Sequence, residues 1–212
     1  INDSLHEEGL VVHTNGWPTS FDTASGSYLY HGENNEVYLG YVIPLDYKNP
    51  YLSPFDEFQK WKTHPSIKKY LKGGERLSYG ARALIKGGLQ SLPKMEFPGG
   101  LLIGCNAGTL VFSKIKGSHT AMKSGEIAGQ HVYEALQGSS NESYDSRIKS
   151  SWVYDELYKS RNFGPFFHKY GAIIGAAFNA IDQFLFRGKL PFTLNHPTPD
   201  YACLKKADEM PK

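Results

Sequence analysis

The stretch that most constrains the fold runs from Phe97 to Leu136, FPGGLLIGCNAGTLVFSKIKGSHTAMKSGEIAGQHVYEAL. It reads as a short buried strand, a glycine-punctuated turn and then a helix. Leu101, Leu102 and Ile103 form an apolar run bounded by Gly99-Gly100 and Gly104, the pattern of a central strand. Gly104, Gly108 and Gly117 remove side chains where a backbone must approach a flat or anionic ligand closely. The helix is expected to begin at Ser118 to Thr120, with its unpaired N–H groups aimed back at that ligand. A flavin, with its pyrophosphate and ring carbonyls, has those needs. Glycine spacing alone is a weak signal for one.

The local words are more specific than the spacing. FPGGLLIGC, KIKGSHTAMKSG, and upstream LDYKNPYLSPFDEFQKWKTHPSI and GGERLSYGARAL occur in one order along the chain. Together they resemble the electron transfer flavoprotein–ubiquinone oxidoreductase family, membrane-surface enzymes that pass electrons from a soluble flavoprotein to quinone. The resemblance covers the chain from about His13 to its C-terminus.

Two parts of the family pattern are missing. No G-x-G-x-x-G precedes the glycine-rich strand, although the family resembles two-part flavoproteins whose N-terminal strand–turn–helix carries that fingerprint for FAD. The family also has clustered cysteines for a [4Fe–4S] cluster, whereas this sequence has only Cys105 and Cys203, far apart. Two readings follow: an internal piece of a longer protein, or a reduced relative. The opening at Ile1, without Met, favours the first.

Length and composition bound the remainder. A chain of 212 residues can bury a real core. A net charge of +2, with no Lys/Arg run longer than a pair, argues against nucleic-acid binding. Two cysteines fit a reduced compartment rather than a disulfide scaffold. The eight histidines show no metal-ligand spacing, so no metal site is expected. Fourteen Tyr, twelve Phe and three Trp suit a large apolar interface. Trp17, Trp61 and Trp152 read as core or interface packing rather than cofactor stacking.

Along the chain, Gly16-Trp17-Pro18 reads as a turn, and Tyr28 to Ile43 as a hairpin about Gly32-Glu33-Asn34-Asn35. Ser53-Pro54-Phe55-Asp56 starts a helix through Phe58 and Trp61 that ends at His64-Pro65. Arg76 to Leu84 reads as a strand. The spacing of Tyr144, Ile148 and Trp152 predicts one amphipathic helix from Tyr144 to Arg161.

Phe163 to Phe186 is the most hydrophobic segment. Only twelve residues, Tyr170 to Ile181, separate Lys169 from Asp182, against the roughly 20 apolar residues a spanning helix needs. A buried core helix is one reading, which Ala172, Ala176, Ala177 and Ala180 allow. A helix lying in the membrane interface is the other, and the resemblance favours it, with Phe166, Phe167, Ile173, Ile174, Phe178 and Phe184 as membrane contacts.

The resemblance also implies site residues. Gly104, Cys105, Gly108, Gly117 and Thr120 are expected to line FAD, with the Thr120 N–H in reach of the isoalloxazine. His119 stands at the same helix start, but the redox chemistry belongs to the flavin. Thr23 to Ser27 corresponds to a place where the family offers a glycine pair to a quinone oxygen. Here Ser25 replaces the first glycine and Gly26 remains, so a quinone contact and an ordinary strand-entry turn both stand. Val111-Phe112-Ser113 departs from the family's polar Asn and Pro, which is expected either to retune the flavin or to end its binding.

The expected fold is α+β. Residues 1–96 form part of a quinone-binding domain with a mixed sheet, 97–138 the returning strand–helix of an FAD-binding domain, and 139–212 a helical region with a monotopic membrane helix at about 163–186. The expected function is a section of a flavoprotein carrying electrons from electron transfer flavoprotein to ubiquinone. It would seat on the matrix face of the mitochondrial inner membrane or on a bacterial cytoplasmic membrane. This chain alone is expected to hold no stable FAD and no [4Fe–4S] cluster. The alternative is a non-catalytic relative, a structural or interaction subunit of a respiratory membrane assembly. A hydrolase is set aside for want of a nucleophile–base motif.

Overall fold

A computed structural model describes residues 1–20, 23, 25–139, 141–195 and 198–211, apart from the side chain of Ala172. The chain divides into two compact units. One comprises residues 1–80 with 197–212, the other residues 81–196.

The first unit is built on an antiparallel sheet of three strands in chain order: β1 (Val11–Asn15), β2 (Gly26–His31) and β3 (Val37–Val42). The expected hairpin forms, with Leu29 opposite Leu39 and Gly26 opposite Val42. Strand alternation turns Ser27, Leu29 and His31 of β2 inward. Leu29 packs there with Trp61 and Ile67 from two helices, α1 (Pro54–Thr63) and α2 (Pro65–Leu71). The Trp61 indole N–H donates to Thr14 Oγ1 at 2.9 Å, so the buried ring keeps its polar partner. Ser53 caps α1 by accepting from the Asp56 N–H at 3.2 Å. The helix stops at His64 as expected, yet His64 then accepts from the Ser66 N–H and caps α2.

No strand forms over Arg76 to Leu84. These residues belong to no helix or strand, and Leu77 and Tyr79 are exposed. Strand propensity needs a neighbouring edge to pair its N–H and C=O groups, and no described strand supplies one here.

The second unit opens with a hairpin of two-residue strands, β4 (Glu96–Phe97) and β5 (Gly100–Leu101). The predicted central strand is therefore only its first residue or two, and Ile103 is exposed rather than buried. Next come α3 (Gly104–Ala107), α4 (Ser118–Leu136), α5 (Tyr144–Lys149) and α6 (Trp152–Ser160). Tyr144 is fully buried beside Met95, Ala107, Ala128 and Ile148. Its hydroxyl donates toward the carbonyls of Leu102 and Ser124, each at 3.2 Å, and burial pushes its pKa up to about 12. Asp145 accepts from the N–H groups of Met95 and Glu96 while Glu96 accepts from the Tyr144 N–H, which locks β4 to α5.

The single helix expected from Tyr144 to Arg161 is two. Ser150 and Ser151 turn their hydroxyls back onto the carbonyls of Arg147 and Ile148, and Ser151 has an extended backbone (ψ 160°).

The apolar segment is not one helix either. In α7 (Phe163–Ala180) the helix breaks at Gly171, with φ 74° and ψ −177°. In a continuous helix Phe166 and Phe178 would stand about 18 Å apart. Their rings stack instead at 5.4 Å, and the Asn179 amide donates to Phe163 O at 2.9 Å. Residues 163–170 and 172–180 thus form a folded-back pair, with Gly175 set against the Phe166 and Phe167 backbone. A π-helical turn, Ile181–Leu185, follows. Buried Arg161 and Asn162 clasp the chain after it. The Arg161 guanidinium donates to carbonyls of Gly188 (2.6 Å), Leu190 and Phe192, and Leu194 N–H donates to Asn162 Oδ1 at 2.8 Å. Among the described residues no helix is long and apolar enough to cross a membrane.

Candidate functional site

The flavin-side residues fall in the second unit, around the start of α4. Gly104 has φ +56°, and a Cβ there would lie 2.9 Å from Ala121 Cβ, so its lack of a side chain lets α3 seat on α4. Its N–H donates to the buried Ser124 Oγ at 3.0 Å. The helical ladder of α4 begins with Ala121 N–H donating to Gly117 O at 2.9 Å, and no side chain caps the helix. The N–H groups of Ser118, His119 and Thr120 precede that first rung and are the helix's natural anion- or carbonyl-binding donors. Thr120 is fully buried, with its hydroxyl donating to Gly117 O at 2.9 Å.

Gly108 terminates α3 in a left-handed conformation, and Cys105 is a half-buried free thiol in α3. Gly117 differs from both other glycines. A Cβ on it would meet only Leu110, at an ordinary 3.6 Å, so nothing in the protein demands glycine there.

Val111 belongs to the core of the second unit. It is 1% exposed and packs with Val153 and Leu157 of α6 and with Leu89 and Leu92. Its apolar side chain serves the core, which accounts for the departure from a polar residue.

Beside the α4 start stands a cluster the sequence reading missed. Glu156 of α6 accepts from Lys114 Nζ at 2.7 Å and faces His119 Nε2 at 2.7 Å. The His119 ring stacks on Trp152 at 5.7 Å with planes 8° apart, and Trp152 is exposed rather than part of the core. Burial opposes ionisation of Glu156, but Lys114 and His119 together hold its carboxyl below the usual range. No sequence signal pairs residues this far apart.

The quinone-side residues lie in the first unit. Ser25 is buried, and its hydroxyl is fully engaged. It donates to Gly16 O at 2.9 Å, accepts from Tyr41 OH at 2.8 Å and bonds the Thr19 hydroxyl. The hydroxyl ties the turn after β1 to the sheet and has no capacity left for a ligand. Gly26 opens β2 between Asn15 and Val42. Ala24, in the same anticipated element, lies outside the described residues.

In the folded-back pair and the π-helical turn after it, Ile173 and Phe184 are more than four-fifths exposed, and Ile174 and Phe178 are exposed to lesser degrees. Phe167 is half-buried, its ring edge-on to Phe163. Phe166, anticipated as a membrane contact, is instead 3% exposed, stacked between the two arms. Asp182, after the second arm, is fully buried, and burial pushes its carboxyl up despite Gln183 and Arg161.

The donor set for a metal is absent from the described residues: no three His, Cys, Asp or Glu side chains come together. The two cysteines fall in different units. The residues present do not fit a [4Fe–4S] cluster. For FAD the uncapped α4 N-terminus and the unrequired Gly117 do fit, as one side of a pocket.

A sequence model of the family described as ETF-QO, ubiquinone-binding, matches residues 1–84. The chain is 60% identical, over its whole length, to the electron transfer flavoprotein-ubiquinone oxidoreductase of Pseudomonas aeruginosa, covering 39% of that protein. It is 48% identical to the mitochondrial protein of the same name from Oryza sativa over 98% of the chain and 36% of the relative. The Homo sapiens mitochondrial protein of that name is 47% identical over 99% of the chain and 36% of its own length. The chain thus spans well under half the length of the curated relatives it matches.

Proposed function

Since the chain belongs to the electron transfer flavoprotein–ubiquinone oxidoreductase family, we propose that it supplies the quinone-side fold and one wall of the flavin pocket of such an enzyme. The observation that carries this reading is the full-length match to proteins named for that activity. In it, electrons from electron transfer flavoprotein leave for ubiquinone, on a bacterial membrane or on the matrix face of the mitochondrial inner membrane.

Each part of the chain has a distinct task. The Ser118, His119 and Thr120 N–H groups at the α4 start meet the electron-rich edge of the flavin ring, with Gly104, Cys105, Gly108 and Gly117 around it. Bound FAD supplies the electron-accepting chemistry, and the positive helix end favours the charge of its reduced ring. Since Ser25 is committed to the Gly16 turn, the quinone contact falls to the backbone at Gly26. The exposed Ile173, Ile174, Phe178 and Phe184 dock the folded-back pair on the membrane. Burying four such side chains at ~25 cal/mol per Å² gives several kcal/mol, enough to dock without spanning. The non-catalytic alternative loses the support it drew from Val111, whose place in the core needs no lost cofactor.

Gly117→Ala tests the flavin placement cleanly, because the protein itself tolerates the added methyl. The full flavoprotein carrying it should lose FAD yet fold, with the melting temperature of the wild-type apoprotein. Retention of FAD with unchanged absorbance would overturn the assignment. A photoreactive ubiquinone analogue should label the first unit near Gly26, and labelling confined to the second unit would overturn the quinone assignment.

A further inference from the structure

Among the described residues, Glu156 is the one acidic side chain that bridges both flanks of the turn leading into α4. It faces Lys114 Nζ and His119 Nε2, each at 2.7 Å, three residues before and two residues after Gly117. The residues between are not held by the core. Ile115 is 73% exposed with a left-handed backbone (φ 53°), and the α4 start has no side-chain cap. Glu156 itself stands on a firm base, since Val153 and Leu157 of α6 are fully buried against Val111 at the other end of the same turn. The turn is fastened by Val111 in the core, by its backbone bridge to Lys116 (Val111 N–H to Lys116 O, 2.9 Å) and by buried Thr120, and Glu156 adds a side-chain tie to both flanks through Lys114 and His119. Trp152, one helical turn before Glu156, backs the His119 ring and fixes its plane.

We propose that Glu156 is a positioning residue for the flavin-facing turn: it holds the α4 N-terminus in place and offsets the Lys114 charge beside it. This rests on the flavin reading above. A carboxylate at this point has two separable consequences. Mechanically, it restrains the backbone N–H groups of residues 118–120. Electrostatically, it opposes the positive helix end, so the site gains less for the reduced, more negative ring than the helix alone would give. Removing the negative charge must therefore raise the flavin midpoint potential, and removing the Lys114 charge must lower it. A purely structural staple would not produce opposite signs from its two partners.

The first experiment needs no flavin. In this chain, exchange of the Ala121 amide, which makes the first rung of α4 to Gly117 O, should quicken about tenfold in Glu156→Gln, the effect of losing one charge-assisted contact. Exchange in α2, in the other unit, should be unchanged. Glu156→Asp should restore part of the protection. In the full flavoprotein, spectroelectrochemical titration should give a raised potential for Glu156→Gln and a lowered one for Lys114→Gln, with the FAD still bound. The proposal is overturned if exchange at Ala121 is unchanged, or if the two potentials stay put or move together. Failure of the flavin reading looks different: Gly117→Ala then keeps its FAD whatever Glu156 does.

Discussion

Gly188 offers the sharpest test of how the second unit is held together. Its φ is +71°, and a Cβ added there would lie 2.1 Å from Lys159 O, 2.6 Å from Lys159 Cα and 2.7 Å from Lys159 C. All three are backbone atoms of α6, so no rotamer change relieves the overlap. The same residue's carbonyl accepts from Arg161 Nη1 at 2.6 Å, one of the bonds by which Arg161 clasps residues 188–193. For Gly188→Ala, the left-handed backbone costs ~1–2 kcal/mol and the overlap ~1–3 kcal/mol. Weakening one charge-assisted bond adds ~1.5–3 kcal/mol. The expected loss is about 4–8 kcal/mol, a large share of the ~5–15 kcal/mol that holds a domain together. Pulse-labelled hydrogen exchange across a urea series reads this unit separately from the other. The midpoint should fall by ~2 M at a slope of 1–3 kcal/mol per M. Gly129→Ala, in the open middle of α4, is the matched control and should stabilise by ~0.5–1 kcal/mol. A loss for Gly188→Ala within about 1 kcal/mol of zero would refute the clasp.

Other outcomes follow from exposure and charge. Ile173→Glu with Phe184→Glu should abolish flotation with liposomes without changing the melting temperature, whereas Phe166→Ala should cost ~3–5 kcal/mol of stability because that ring is internal. Flotation unaffected by the double change would remove the membrane role from the folded-back pair. His31 is buried, accepts from the Glu7 N–H through Nδ1 at 2.9 Å, and is held below its ordinary pKa first by burial and then by stacked His6. The unfolded chain then takes up a proton where the folded one does not. Stability of the first unit should be full above about pH 6.5 and decline as pH falls below it, and His31→Gln should flatten that decline. A wild-type profile already flat from pH 7.5 to 5 would contradict this.

Local chemistry was the legible part of the fold. The β2–β3 turn rests on Asn34 and Asn35, both with positive φ, and α1 and α4 start where their capping and glycine signals stand. The departures share one physical cause, dependence on residues remote in sequence. Arg76 to Leu84 has strand-like residues but no edge to pair with. Gly171 is one glycine among several in an apolar run, and only the contact of Phe166 with Phe178 makes it a reversal rather than a kink. Ser150 and Ser151 sit within an unbroken apolar period, so the helix break they make left no gap in the pattern. At the site, the glycines and Thr120 were visible because a turn and a helix start are local. Glu156 was not, because nothing near it in sequence marks a carboxylate that reaches back to Lys114 and His119.

The most direct test of the central claim separates electron entry from electron exit. In the full flavoprotein, Gly26→Val adds side-chain bulk at the start of β2, where a Cβ has only an ordinary 3.5 Å contact with Thr14 O. Stopped-flow mixing with reduced electron transfer flavoprotein should show flavin reduction at the wild-type rate. Reoxidation by a soluble ubiquinone should then slow by about tenfold, equivalent to ~1.4 kcal/mol of lost transition-state binding. Reoxidation at the wild-type rate, or slowing of the first step alone, would contradict a quinone contact in this part of the chain.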